Sequence, residues 1–220
     1  DAGFTFIEVM IAILIFSVVI TTLFSSFQAF IHAGAAVRES IADTEKISAV
    51  FKRMHRDMEG IYVVQLPRYA KPAFNSEPDP FQLTGGEEIV GGQTVSYLVF
   101  SSSAHAKTGI DQRNGIAQIY YYTKENDNNT LDLFRGDMLP PFPREPARCG
   151  DPVLCTGISG FELLYTDKDG EQYRNWDSDS EAFSYAFPVK IEITITFGPN
   201  GRETVFETAV SVMSQRGTVE

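Results

Sequence analysis

Residues 9–37 contain no charged side chain when His32 is counted as neutral, and the run 4–30 is predominantly apolar even with its few Ser and Thr. About 20 such residues carry a helix across roughly 30 Å of hydrocarbon. Past Val37 the pattern changes. Ile41, Ile47, Val50, Phe51, Met54, Met58 and Ile61 recur at steps mostly of three and four, while Arg38, Glu39, Asp43, Glu45, Lys46, Lys52, Arg53 and Arg56 fill the gaps. This is the period of a helix with one buried face. No proline interrupts 4–59, and Gly60 supplies a stop. The spacing predicts one helix of about 56 residues, some 84 Å long at 1.5 Å per residue. Its first half suits lipid and its second half suits packing on a folded domain.

The remaining pattern is that of strands. Segments 94–101, 116–123, 131–135, 161–166, 189–197 and 204–214 are rich in β-branched and aromatic residues. Val189, Ile191, Ile193, Ile195 and Phe197 alternate with Lys190, Glu192, Thr194 and Thr196, and Gly198-Pro199-Asn200-Gly201 turns that strand into the next. The segments 67–92 and 138–157, rich in Pro and Gly, read as long loops. The expected fold class is α+β: a long N-terminal helix, membrane half plus amphipathic half, packed on antiparallel β-sheet. The expected divisions are a residual leader at 1–3, a transmembrane and assembly helix at 4–37, the amphipathic half at 38–62, and a β-rich globular domain at 63–220.

Composition sharpens this picture in two respects. Hydrophobic residues make up 43% and charged residues 21%, which fits neither wholesale disorder nor a multi-span membrane protein. All 18 Lys and Arg lie at or after Arg38, yet the chain is acidic, with a net charge of −11. That balance argues against a nucleic-acid partner, whose phosphates need clustered cations. It also argues against docking on anionic lipid through a basic patch. A cleavable secretory signal would have an apolar core of about 7–15 residues preceded by cations. This run is longer and no cation precedes it. Because the sequence starts at Asp1 rather than Met, trimming of a basic leader is expected.

Glu8 is the exception within the apolar run. A carboxylate carried towards mid-bilayer costs about 2–3 kcal/mol, so such residues have partners or functions. Gly3-Phe4-Thr5-Phe6-Ile7-Glu8-Val9-Met10, followed by the apolar helix, resembles the class III signal of type IV pilins and type II secretion pseudopilins. The resemblance implies cleavage by prepilin peptidase between Gly3 and Phe4 and N-methylation of Phe4. It also implies that Glu8 meets the α-amino group of Phe4 on a neighbouring subunit during assembly. Two charges in a low dielectric are tolerable as a pair.

Within that family the chain is most similar to the J-type minor pseudopilin. Its length fits, and Arg53-Met54-His55-Arg56-Asp57-Met58 resembles the end of the J-type helix. The stretch 167–176, where an aspartate–glycine turn precedes the lone Trp176, and Phe187-Pro188-Val189-Lys190-Ile191 extend the similarity. The resemblance implies a single-pass protein of the bacterial inner membrane with its globular domain in the periplasm. The implied partners are the I, K and H types, the major G type, prepilin peptidase and the inner-membrane secretion platform. The 67–92 segment and the cysteine loop lie outside that resemblance. A minor type IV pilin, priming or tipping a pilus, therefore stays open, as does a membrane-tethered periplasmic binding domain.

Cys149 and Cys155 bracket five residues in a Pro-rich loop. Outside the cytoplasm this reads as a short disulfide-closed loop, with two free thiols as the alternative. No metal-ligand spacing accompanies them. His105 follows Ser101-Ser102-Ser103, but no nucleophile elbow surrounds it, and His55 is expected to cover the helix surface. Asp167, Asp169, Asp177, Asp179 and Glu181 form an acidic stretch. Gly170 directly follows the second Asp there, which suits a turn better than a calcium loop. The sequence thus predicts assembly rather than catalysis, with no cofactor and no metal site.

Overall fold

The computed structural model describes residues 5–72, 79–106, 113–142, 150–198 and 203–216, with the backbone alone over 29–43. The chain divides into two compact units, Asp1–Lys46 and Ile47–Glu220. One helix, α1, runs Phe6–Glu59. Within the first unit Phe6–Gln28 is long and apolar enough to cross a membrane, with a mean hydropathy of 2.6 and no buried positions. Hydroxyls of Ser17, Thr21 and Thr22 bond within the helix. Ser17 Oγ donates to the Ile13 carbonyl at 2.8 Å, and Thr21 Oγ1 donates to the Ser17 carbonyl at 2.6 Å. Satisfied in this way, they are tolerable in hydrocarbon.

The second unit begins with the last turns of α1 and is otherwise β-structure. The strands are β1 (Thr84–Val90), β2 (Gln93–Ser102), β3 (Ala117–Glu125), β4 (Leu131–Met138), β5 (Val153–Thr166), β6 (Gln172–Tyr173), β7 (Trp176–Asp177), β8 (Lys190–Phe197) and β9 (Thr204–Ser211). Among the described residues these form one antiparallel sheet in the order β7-β1-β2-β3-β4-β5-β8-β9, with β6 paired to β5. The sheet curls. β2 and β5 are separated by two strands in that order, yet the Leu163 N–H of β5 donates to Ser96 Oγ of β2 at 2.9 Å. The short segment 172–177 meets both sides of the opening, since β6 pairs with β5 and β7 pairs with β1.

The core is built as the alternation predicts. Ile191, Ile193 and Ile195 of β8 are fully buried, as are Leu98, Phe100, Ile119, Tyr121, Leu133, Phe161 and Tyr165. Ile47, Val50, Met54 and Met58 from α1 and Ile61 after it join the same cluster, with Phe51 packed partly against it. Ile41 lies among the helical residues whose side chains are not described.

Two sequence expectations need correction. The 67–92 segment is not loop throughout, because its last third is β1. Two glycines and two glutamates in Thr84–Val90 lower its strand propensity. The hairpin signal was Gly91-Gly92, whose φ angles of 58° and 76° build the tight turn into β2. Likewise β5 starts at Val153, eight residues before the expected position. Gly157, Gly160 and bulges against β4 and β8 interrupt the alternation there. An N-terminal apolar helix joined to a curled antiparallel sheet is an α+β arrangement consistent with a pilin-like fold.

Candidate functional site

The N-terminal site starts at Thr5, because Gly3 and Phe4 lie outside the described residues. Thr5 and Glu8 form a reciprocal cap on α1. The Glu8 N–H donates to Thr5 Oγ1 at 3.4 Å, and the Thr5 N–H donates back to Glu8 Oε2 at 3.1 Å. The Thr5 hydroxyl also donates to Glu8 Oε2 at 3.1 Å. A Thr followed three residues later by Glu satisfies two helix donors that have no intrahelical acceptor. The carboxylate also sits where the helix dipole favours negative charge. Glu8 is exposed. The arrangement can hold a carboxylate at the start of an apolar span and offer it to an incoming ammonium.

A second constellation fixes the other end of α1. Asp57 is buried, and its carboxylate gathers donors from three directions. Arg135 of β4 donates through Nε to Oδ2 at 2.6 Å and through Nη2 to Oδ1 at 3.1 Å. Arg53, one turn earlier, donates through Nε at 3.2 Å and also reaches the Ala104 carbonyl at 2.8 Å. The Tyr121 hydroxyl of β3 donates as well. Arg135 continues to Asp137 at 2.7 Å. Asp137 in turn accepts from the Ala106 N–H at 2.8 Å and pairs with His105 Nδ1. Ser102 Oγ donates to the Asp57 carbonyl at 2.7 Å, satisfying a helix-end acceptor.

The electrostatics follow from these contacts. Burial, then the Asp57 carboxylate beside it, holds the Tyr121 hydroxyl well above its ordinary range. Burial would raise Asp137, but the Ala106 N–H, His105 and Arg135 outweigh it and hold that carboxyl below its usual value. Arg135 stays charged because Asp57 and Asp137 overcome its desolvation.

Arg53 and Asp57 lie in the helix segment singled out from sequence. Arg135, Asp137 and Tyr121 were missed, because a partner 78 residues away leaves no local spacing signal. The available clue was phase. Arg135 and Asp137 occur in step with Leu131 and Leu133, on the inward face of β4.

Other candidate residues are placed as follows. His55 Nε2 sits 3.1 Å from Thr208 Oγ1 on β9, a half-buried contact between the helix and the sheet edge. His105 Nε2 has no partner among the described residues, so no serine hydroxyl of 101–103 is poised on it. Cys155 is buried at the start of β5, and Cys149, its expected disulfide partner, lies outside the described residues.

The acidic stretch does not converge. Asp167 caps its own turn, accepting from the Asp169 and Glu171 N–H groups at 2.9 Å each. Asp179 faces Arg216, which also donates to the carbonyls of Ser178 and Tyr185 at 3.1 Å each and to Asp79 at 3.3 Å. The Arg216 guanidinium lies 3.3 Å above the Tyr69 ring. Burial first, and then Asp179, raise the Asp79 carboxyl. Among the described residues no three His, Cys, Asp or Glu are grouped to hold a metal ion.

Residues 1–24 match the prokaryotic N-terminal methylation motif. That motif is the type IV pilin-like signal. It implies processing by prepilin peptidase and assembly with other pilin-like subunits, and with the apolar helix it supports a membrane anchor. No curated protein matches the chain.

Proposed function

We propose that this pilin-like chain is a minor pseudopilin of a type II secretion system, of the J type, assembling near the tip of the short pseudopilus that drives export of folded proteins. The observation that carries the proposal is the methylation motif at residues 1–24 with Glu8 as the acid at the head of an apolar span. Phe4 and Glu8 register the subunit against its neighbour. The apolar helix is held in the inner membrane before assembly and buried among other helices afterwards. The domain in the periplasm binds the I-type and K-type subunits. The role is assembly and not catalysis.

The burial of Asp57 by Arg53 and Arg135 supports the J-type reading, since it gives the Arg53–Met58 segment a structural reason: to tie the helix end to the sheet. The second reading is a minor type IV pilin, favoured by the cysteine pair and the 67–92 segment, which the J-type resemblance leaves out.

Capture of the tagged full chain from native membrane, with N-terminal mass analysis, tests both. The expected result is methylated Phe4 at the start and secretion pseudopilins in the eluate. Pilus proteins in their place would favour the second reading, and a chain starting at Asp1 would remove both.

A further inference from the structure

β9 ends the sheet and is paired to β8 on one side. The register runs from Phe197 opposite Thr204 to Lys190 opposite Ser211 without a bulge. Its phase follows from one bond just past its end, where the Val212 N–H donates to the Val189 carbonyl at 3.0 Å. In an antiparallel ladder that bond makes Lys190 and Ser211 a non-bonded pair, and bonded and non-bonded pairs alternate from there. Thr204, Phe206, Thr208 and Val210 therefore turn their backbone groups towards β8. Val205, Glu207, Ala209 and Ser211 turn theirs away from it. All four are exposed, and among the described residues no group bonds to their outward N–H and C=O.

The strand itself is firmly seated. The Phe206 ring meets Phe197 edge-on at 5.9 Å, Val210 is buried, and Thr208 meets His55. Its free edge lacks most of the devices that keep sheet edges single, since Thr204–Ser211 holds no proline, no lysine and no bulge. On the solvent face Glu203 and Glu207 flank Val205, which is 51% exposed, and Ala209 and Ser211 follow. Neither glutamate has an ion-pair partner among the described residues. Lys190, opposite Ser211, is held by Glu192 at 2.5 Å.

We propose that the free edge of β9 receives an extended strand of another pilin-like subunit, carrying lysine or arginine opposite Glu207. A row of outward N–H and C=O groups repeating every two residues, about 6.8 Å, is matched by another extended backbone. The unpaired carboxylates select a strand with a cation, because opposite charges across a pair attract and like charges repel. A second copy of β9 is disfavoured on the same ground. The antiparallel register that engages all four outward residues sets Glu207 of one copy beside Ala209 of the other. Both glutamates then share one diagonal, with no cation on either strand. A pilin-like source for the strand rests on the assembly role proposed above.

Amide hydrogen exchange of the full chain in detergent micelles, read residue by residue, tests the edge. The probes are blocked nonapeptides of alternating valine and threonine with lysine or glutamate at two threonine positions, and the lysine peptide broken by two central prolines. The lysine peptide should slow exchange at Val205, Glu207, Ala209 and Ser211 about fivefold and saturably, leaving Phe206, Thr208 and Val210 as they were. The glutamate peptide should bind about tenfold more weakly, and the proline peptide should protect nothing. Ala209→Pro removes one outward N–H while sparing the ladder to β8, and should abolish the protection. Glu207→Lys, a surface change, should invert the preference between the two charged peptides. In native membrane, a photo-crosslinker at Val205 should join the chain to a different pilin-like subunit.

No saturable protection of the four amides, or equal protection by the proline peptide, would overturn the proposal. So would a charge preference that Glu207→Lys leaves unchanged. Protection that rises with protein concentration alone, or a crosslink between two copies, would put a second copy on the edge and overturn the assigned occupant. Any of these results, with methylated Phe4 and co-captured pseudopilins intact, removes the edge assignment and leaves the proposed function standing.

Discussion

Asp57 on α1 and Arg135 on β4 face each other edge to edge across 78 residues of chain, with N–O distances of 2.6 and 3.1 Å. Both side chains are almost entirely withdrawn from solvent. A buried pair of this kind is weak evidence for net stability, because desolvation offsets the attraction. Losing one partner is different, since the other is left charged and unpaired. Asp57→Ala should therefore destabilise the fold by about 3–5 kcal/mol, read as a shift in denaturant midpoint. Replacing both, as Asp57→Leu with Arg135→Met, should recover a large part of that loss. A double variant as unstable as the sum of the singles would show that the pair is not coupled.

Asp137 gives the acid limb of stability its shape. Its folded carboxyl titrates below the unfolded value of about 3.9. Its contribution is therefore present above that value and lost as pH falls through the lower, folded one. Asp137→Asn should lower stability at neutral pH and flatten the decline below about pH 4. An unchanged acid slope in the variant would place the charge elsewhere.

Gly85 and Tyr165 make a steric pair. A Cβ at Gly85 would sit 1.9 Å from the Tyr165 hydroxyl and 2.5 Å from the ring carbon bearing it. Gly85→Ala should cost on the order of 1–3 kcal/mol through overpacking. The Tyr165 hydroxyl is itself buried, with no partner among the described residues. Tyr165→Phe should then be neutral or stabilising by roughly 1 kcal/mol, since an unmet hydroxyl carries a desolvation penalty. Thermal melts of the two variants check both expectations.

At the N-terminus, Thr5→Ala and Glu8→Leu separate capping from assembly. Thr5→Ala removes one half of the cap and should cost about 1 kcal/mol of local helix stability while leaving the carboxylate in place. Glu8→Leu should leave membrane insertion and the distant sheet intact, because an apolar residue favours the bilayer. It should nevertheless abolish incorporation beside neighbouring subunits, and Glu8→Asp should be intermediate. The readout is crosslinking together with secretion in a complemented deletion strain. Wild-type crosslinks from Glu8→Leu would remove the pairing role.

Much of this was legible in the sequence where the signal is local. The burial of Ile47, Val50, Met54 and Met58 follows from helical spacing, and that of Ile191, Ile193 and Ile195 from alternation. β1 was not legible, because Gly85, Gly86, Glu87 and Glu88 are poor strand formers held by pairing on both sides. Partnerships across the chain were hidden for another reason. Nothing near Asp57 announces Arg135, and nothing near Tyr69 or Asp79 announces Arg216. Such pairs become visible when the sheet curls and brings distant segments together.

The Arg216 contacts bear on the order in which the chain completes itself. Asp79 and Arg216 are 137 residues apart, and the same guanidinium closes on Tyr69, Asp179 and the Ser178 carbonyl. A chain emerging from its N-terminus has the Asp57–Arg135 contact available once β4 is out. Tyr69 and Asp79 must wait for nearly everything that follows. Contacts of such long separation come late, since loop-closure entropy precedes their reward. Tyr69 and Asp79 thus stay undocked until Asp179 and Arg216 have emerged, and the last described residue is one of the two that fasten them.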